Sequence, residues 1–376
     1  MNFPKAGSPS FRIMLELAEL AARPSPAKDT GMTAHPLVID PAVFDPRNAE
    51  PDLVAMNADI TALQKARPSP WSLPLDKVRA ARRQGLGTFP LPSPDPLATV
   101  IQIRGRDGHA ISARIFRPAS GAAAGTFLHF HGGGWVFGEA SEGDLFLRHI
   151  ADRTGLAVAS IDYRLAPEHR FPAGPNDCED AALALIEGGL ADADGVLPTG
   201  FLAIGGESAG AHLSVVTLLR LRDRHGLTPF HAANLTAGCY DLSLTPSVRR
   251  FGAERLVLNT EDVAAFVDRF LPPALDPRSP EVSPLHAALH DLPPALFTCG
   301  TRDLLIDDTL FMATRWLAGG NAADLSLHAG GCHVFQGFPS ATGIRSIGEM
   351  ADFLGARMTE HLARDDGGWR AVPFHA

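Results

Sequence analysis

The sequence predicts an α/β fold: a mainly parallel, eight-stranded sheet with helices on both faces and a helical cap. Three observations predict it. Apolar strand candidates alternate with helical runs through most of the chain. One strand runs directly into Gly206-Glu207-Ser208-Ala209-Gly210 and then into a helical run, a strand–turn–helix junction. Of the 376 residues, 45% are apolar and 20% charged, enough for one large core.

Residues 1–95 are rich in Pro, Ala and charge and show no strand pattern. Phe11 to Ala22 reads as a short amphipathic helix, because Glu16 and Glu19 interrupt its apolar residues and rule out a signal-peptide core. Met32 offers a second candidate start. Leu53, Met56, Ile60 and Leu63 share a helical face, opened by Pro51-Asp52 and closed by Arg67-Pro68. A second short helix is expected from Leu75 to Arg83.

From Thr99 the texture changes. Val100–Ile103 and Ile111–Phe116 alternate and join through Asp107-Gly108, as an antiparallel hairpin does. Six further strands are expected at Thr126–His131, Ala157–Ile161, Phe201–Gly205, Leu235–Cys239, Ala295–Cys299 and Leu325–His328. Helices are expected between them, near Glu142–Thr154, Asn176–Leu190, Ala209–Arg224, Asp308–Leu317 and Thr342–Leu362. Leu242 to Pro284 breaks the alternation with an extra helical run, Glu261–Phe270, and reads as an insertion. Its Val263, Phe266, Val267 and Phe270 offer an apolar surface on which the Leu53 helix is expected to pack, over Ser208.

Composition excludes several classes. A net charge of −9 leaves no basic patch for nucleic acid or an anionic membrane. No apolar run has the length of a membrane span. The four cysteines (Cys178, Cys239, Cys299, Cys332) form no Cys-X-X-Cys pair, which favours reduced thiols and a cytoplasmic location.

The chemistry starts at Ser208. A serine on a strained turn presents its hydroxyl, and the flanking glycines let strand and helix approach closely; a plain structural turn is the bland alternative. His131-Gly132-Gly133-Gly134-Trp135 ends the Thr126 strand, where bare backbone N–H groups can hold an oxyanion. A flexible turn or a phosphate loop is the rival reading, but no Gly-X-Gly-X-X-Gly fingerprint is present. A nucleophilic serine needs a base, and the base needs an orienting carboxylate. Asp303 follows the Ala295 strand, with Asp307 and Asp308 as rivals placed in the next helix as N-terminal capping carboxylates. His333 follows the last strand in Gly330-Gly331-Cys332-His333, alone among the 15 histidines in lying beyond Asp303 at a strand end. Trp135, Phe137 and Glu207 are candidate pocket residues. His129 and His131 lack companions at metal-ligand spacing, so no metal site is expected.

Together these segments resemble the hormone-sensitive-lipase family of α/β-hydrolases, the bacterial esterases of that type. The likeness rests on His131–Trp135, Gly206–Gly210, Asp162-Tyr163-Arg164-Leu165-Ala166-Pro167-Glu168-His169, Phe171-Pro172-Ala173 and Val282-Ser283-Pro284-Leu285, and runs from about residue 100 to 362. It implies a triad of Ser208, Asp303 and His333, an oxyanion hole of Gly133, Gly134 and the Ala209 N–H, and Arg164, Glu168 and His169 holding loops near the pocket. It also implies a division into residues 1–95 (N-terminal segment and part of the cap), 96–241 and 285–376 (hydrolase domain) and 242–284 (cap insertion). Departures are Asp303-Leu304-Leu305 for the usual Asp-Pro-Leu, His333-Val334-Phe335 for His-Gly-Phe, and Glu207 for Asp.

The expected function is a serine carboxylesterase for short- to medium-chain acyl esters, with no cofactor, a small-molecule ester as partner, and neither nucleic acid nor membrane. Alternatives are an amidase or carbamate hydrolase on the same machinery, or a non-catalytic small-molecule receptor. A homodimer stays open.

Overall fold

A computed structural model describes residues 37–365 except position 92; the expected Phe11–Ala22 helix and Met32 lie outside them. The hairpin forms as β1 (Thr99–Arg104) and β2 (Ala110–Phe116), antiparallel with Ile103 opposite Ile111. Next come β3 (Thr126–Phe130), β4 (Ala157–Asp162), a small hairpin of β5 (Ala191–Asp192) and β6 (Gly195–Val196), then β7 (Leu202–Glu207), β8 (Ala232–Thr236), β9 (Ala295–Gly300) and β10 (Ala323–His328). The main sheet has eight strands in the order β1-β2-β4-β3-β7-β8-β9-β10. All pairs from β4 to β10 are parallel. Central strands are covered on both faces, and β3 and β9 are buried along their whole length.

Nine helices are described: α1 (Pro51–Lys65), α2 (Leu75–Arg83), α3 (Asp144–Thr154), α4 (Ala173–Ile186), α5 (Ala209–His225), α6 (Pro246–Phe251), α7 (Thr260–Phe270), α8 (Ile306–Ala318) and α9 (Ala341–Asp365). One core joins the sheet to α4, α5 and α8. A second, on the opposite face, joins it to α3 and α9. No helix among the described residues is long and apolar enough to cross a membrane.

Three expectations need correcting. β8 lies three residues before the predicted Leu235–Cys239, because Ala237 takes a φ of 47° that ends extended pairing. α4 begins at Ala173 and stops at Ile186, where Gly188 (φ 71°) turns the chain toward β5. α1 buries Leu53, Met56, Asn57, Ile60 and Gln64, while Leu63 is exposed. At 3.6 residues per turn Gln64 falls about 20° from Leu53 and Leu63 about 80° to its side.

The α1 face also packs elsewhere than predicted. It meets Leu256 and Val257 of the insertion, together with Cys332, Phe335 and Phe338 beyond β10. The apolar face of α7 turns inward instead. Phe270 stacks on Trp135 at 4.5 Å, and Phe266 meets Trp71 edge-on at 4.9 Å. Trp71 is tied to α7 by its Nε1–H bond to Asp262 (2.8 Å) and by Arg269 over its ring (4.4 Å).

Candidate active site

β7 delivers the chain to Ser208, whose φ of 56° and ψ of −117° lie outside the ordinary regions for an L-residue. The strain is held by packing. A Cβ at Gly206 or Gly210 would run into the Phe130 carbonyl, so only glycine lets the elbow pass the end of β3. The Ser208 N–H donates to Thr236 O at the end of β8 (2.8 Å), and α5 starts at the next residue.

β9 and β10 deliver the other two groups. His333 Nε2 lies 2.9 Å from Ser208 Oγ, and its Nδ1 lies 2.9 and 3.1 Å from the Asp303 carboxylate oxygens. Asp303 Oδ1 also accepts the Leu305 N–H (2.9 Å). The two loops are stitched together: Arg302 N–H donates to Gly331 O (2.9 Å) and Thr301 N–H to His328 O (3.0 Å). Ser208, Asp303 and His333 are all buried.

The rival carboxylates point elsewhere, and neither caps its own helix. Asp307 accepts the Ser247 N–H (2.8 Å); Asp308 accepts the Tyr240 and Asp241 N–H groups and the Thr245 hydroxyl. Burial pushes the Asp308 carboxyl up to about 7. Both serve as anchors for the start of the inserted stretch.

The glycine loop faces Ser208. Gly134 sits at φ 60°, and a Cβ there would strike the Phe266 ring. Among the described residues no acceptor takes the N–H of Gly133, Gly134 or Ala209. Glu207 fixes the loop from below. Its Oε1 accepts the Gly132 N–H (2.8 Å) and its Oε2 lies 2.9 Å from His129 Nε2, while His129 Nδ1 meets Ser160 Oγ at 2.9 Å. Burial raises the Glu207 carboxyl, but His129 and the Gly132 N–H outweigh it and hold the group below its ordinary value. This line of three residues was missed in the sequence; its one signal was His129 two positions before His131.

Phe137 and Glu207 line a cavity of about 190 Å³ that reaches Ser208 and His333, with Phe89, Val257, Leu258 and Phe266 among its walls. Trp135 does not line it, contrary to expectation. Its indole is buried behind the wall, donating to His212 Nδ1 (3.1 Å) and stacked on Phe270. His212 Nε2 in turn bonds Val282 O (2.8 Å), so the imidazole is neutral with its proton on Nε2. Burial pushes its pKa down to about 4.

Around the cavity, Arg164 grips the buried Asp177 (2.7–3.1 Å), and Arg79 of α2 grips Glu168 with two bonds of 2.9 Å. Arg79 also donates to Val136 O and Ala166 O, tying α2 to the glycine loop. His169 makes a backbone turn bond to Leu165 O. Cys332 is buried against α1, and burial pushes its thiol up. Among the described residues no group of three His, Cys, Asp or Glu side chains could hold a metal ion.

A family profile described as the alpha/beta hydrolase fold matches residues 127–337, more than half of the chain. The chain belongs to the α/β-hydrolase family. This α/β-hydrolase is 31% identical over 351 residues to the carboxylic ester hydrolase LipN of Mycobacterium tuberculosis, covering 86% of each chain. Among solved structures it is similar to a hyperthermophilic esterase from the archaeon Pyrobaculum calidifontis (TM-score 0.72, 30% identity, 82% of this chain and 98% of that one). It is also similar to a hormone-sensitive lipase from a metagenome library (TM-score 0.70, 26% identity, 83% of this chain and 100% of that one). The hormone-sensitive-lipase likeness read from the motifs is thereby upheld, and with it the predicted fold class of this α/β-hydrolase.

Proposed function

We propose that the chain is a serine carboxylesterase that cleaves short- to medium-chain acyl esters through an acyl-enzyme. The unbroken line Ser208–His333–Asp303 carries the reading. Ser208 Oγ attacks the ester carbonyl while His333 Nε2 takes its proton; Asp303 holds Nδ1–H and stabilises the imidazolium. The Gly133, Gly134 and Ala209 N–H groups receive the oxyanion, with the α5 N-terminus behind them. The imidazolium then protonates the leaving alkoxide. Water repeats the cycle on the acyl-enzyme and releases the acid.

Supporting the substrate class are the small, largely apolar cavity and the ester-hydrolase names of the relatives. Residues 37–95 and 242–284 act in this reading as the cap, since Phe89, Val257, Leu258 and Phe266 roof the cavity. Four free, buried cysteines fit a cytoplasmic location. The test is a screen of p-nitrophenyl esters of graded chain length, with a serine-directed organophosphate. Turnover should be greatest on short and medium chains, blocked by the label, and lost in Ser208→Ala. Ester hydrolysis that survives Ser208→Ala would overturn the proposal.

A further inference from the structure

The cavity has a second end, on the face of the sheet covered by α9. Successive side chains of a strand alternate, so Asn234 and Thr236 of β8 share one face and Leu235 takes the other. Thr236 O receives the Ser208 N–H, which places Asn234 one two-residue step, about 6.6 Å, back along the strand from the elbow. Both edges of β8 are paired, so Asn234 faces the cavity with its side chain. The residue is 2% exposed, and its buried Oδ1 has no hydrogen-bond partner.

A second such acceptor is present. Gln336, three residues after His333, lines the same cavity; its Nε2 donates to Ser346 Oγ (2.9 Å), and its buried Oε1 is also unpartnered. Ser346 lies one helical turn before Met350 on α9, so the two share a face. Met350 Sδ receives only a long contact, 3.9 Å, from Thr236 Oγ1. Two buried amide oxygens with unmet acceptor capacity thus belong to side chains that line one cavity, together with the apolar Phe146 and Met350. Buried acceptors are nearly always met, and an unmet one carries the full desolvation of its lone pairs.

We propose that this end of the cavity is a subsite for a hydroxyl carried on the substrate near its ester group. The proposal rests on the serine-esterase reading of Ser208. The hydroxyl donates to Asn234 Oδ1 or Gln336 Oε1; a methyl in its place leaves both oxygens unmet, so the site discriminates by chemistry rather than by size.

Two matched pairs of esters test it on the full chain, one for each side of the scissile bond. Ethyl β-hydroxybutyrate is compared with ethyl isovalerate, and hydroxyethyl butyrate with propyl butyrate; each pair exchanges a hydroxyl for a methyl. In one pair kcat/KM should favour the hydroxyl member by about tenfold or more. Asn234→Leu and Gln336→Leu are assayed separately, and at least one should bring that ratio to within about twofold; a ratio unchanged in both would overturn the subsite. Equal turnover of both members in both pairs by the unmutated chain would overturn the subsite alone, leaving water as the partner of these oxygens. No turnover of any of the four, with no organophosphate labelling of Ser208, would overturn the serine-esterase reading and the subsite with it.

Discussion

Ser208, held at a φ of 56° between two glycines, is the residue on which the proposed chemistry turns. Ser208→Ala should lower kcat by about 10⁶-fold, His333→Ala by a similar factor, and Asp303→Asn by less. Asp307→Asn should leave kcat near wild type, since its carboxylate holds Ser247 and not the base; the opposite ranking of the two Asp variants would reassign the acid. Glu207→Ala should cost about 10- to 100-fold in kcat with a smaller change in KM, because a charged hydrogen bond to Gly132 positions the glycine loop proposed to receive the oxyanion. Glu207→Gln keeps an acceptor for that N–H and should recover most of the loss; if it recovers none, Glu207 acts through its charge. His212 sets a pH limit. Its folded pKa of about 4 lies below the unfolded value of 6.5, so its contribution is full above pH 6.5 and is lost as pH falls toward 4. The loss is on the order of 3 kcal/mol. Urea unfolding at pH 7 and pH 4.5 should show a smaller acid penalty in His212→Gln than in wild type; parallel curves would refute the neutral imidazole. Ser208, Asp303 and His333, the proposed triad, were legible because each follows a strand end near glycines. Asn57, Gln64 and Asn234 were not, because a polar residue on a buried face looks in sequence like one on a wet face.

Among the elements, the loop after β10 carries one of the departures read from the motifs. Val334 occupies the left-handed region at φ 48° and ψ 48°, where the common His-Gly-Phe form has glycine. A β-branched residue there stores strain on the order of 1–3 kcal/mol. Glycine would relieve it while adding about 0.5–1 kcal/mol of unfolded-state entropy. Val334→Gly should therefore raise stability by about 1 kcal/mol, read as a rise in Tm of a few degrees. A fall of similar size would show that packing of the valine outweighs the strain. Long, periodic elements such as α5 and the β1–β2 hairpin were legible to within a residue or two. β8 was placed three residues late because its buried start, Ala232-Ala233-Asn234, is small and polar, whereas the apolar run continues past the point where the chain turns at Ala237.

At the scale of the whole molecule, α1 and its leading turn brace the loop that carries His333, the proposed base. Glu50 N–H donates to Ala329 O (3.2 Å), Asn57 Nδ2 to Gly330 O (2.8 Å), and the Asp52 carboxylate accepts the N–H and hydroxyl of Thr342 at the start of α9 (both 2.9 Å). A chain beginning at Leu97 should therefore aggregate, or lose on the order of 10²-fold in kcat/KM, as a base displaced by about 1 Å would. A soluble, fully active Leu97 chain would show that these contacts neither roof nor brace the site. The brace also has a consequence for synthesis. Asn57 and its acceptor are 273 residues apart in the chain, and Gln64 and Val257 are 193 apart. Leu53, Met56 and Ile60 are made early and must stay uncovered through most of translation, until residues 256 and 257 and then the loop at 332–338 emerge to receive them. On the ribosome the proposed nucleophile is made long before its proposed base can be held in place, so in this reading a partly made chain has a serine elbow but no working site.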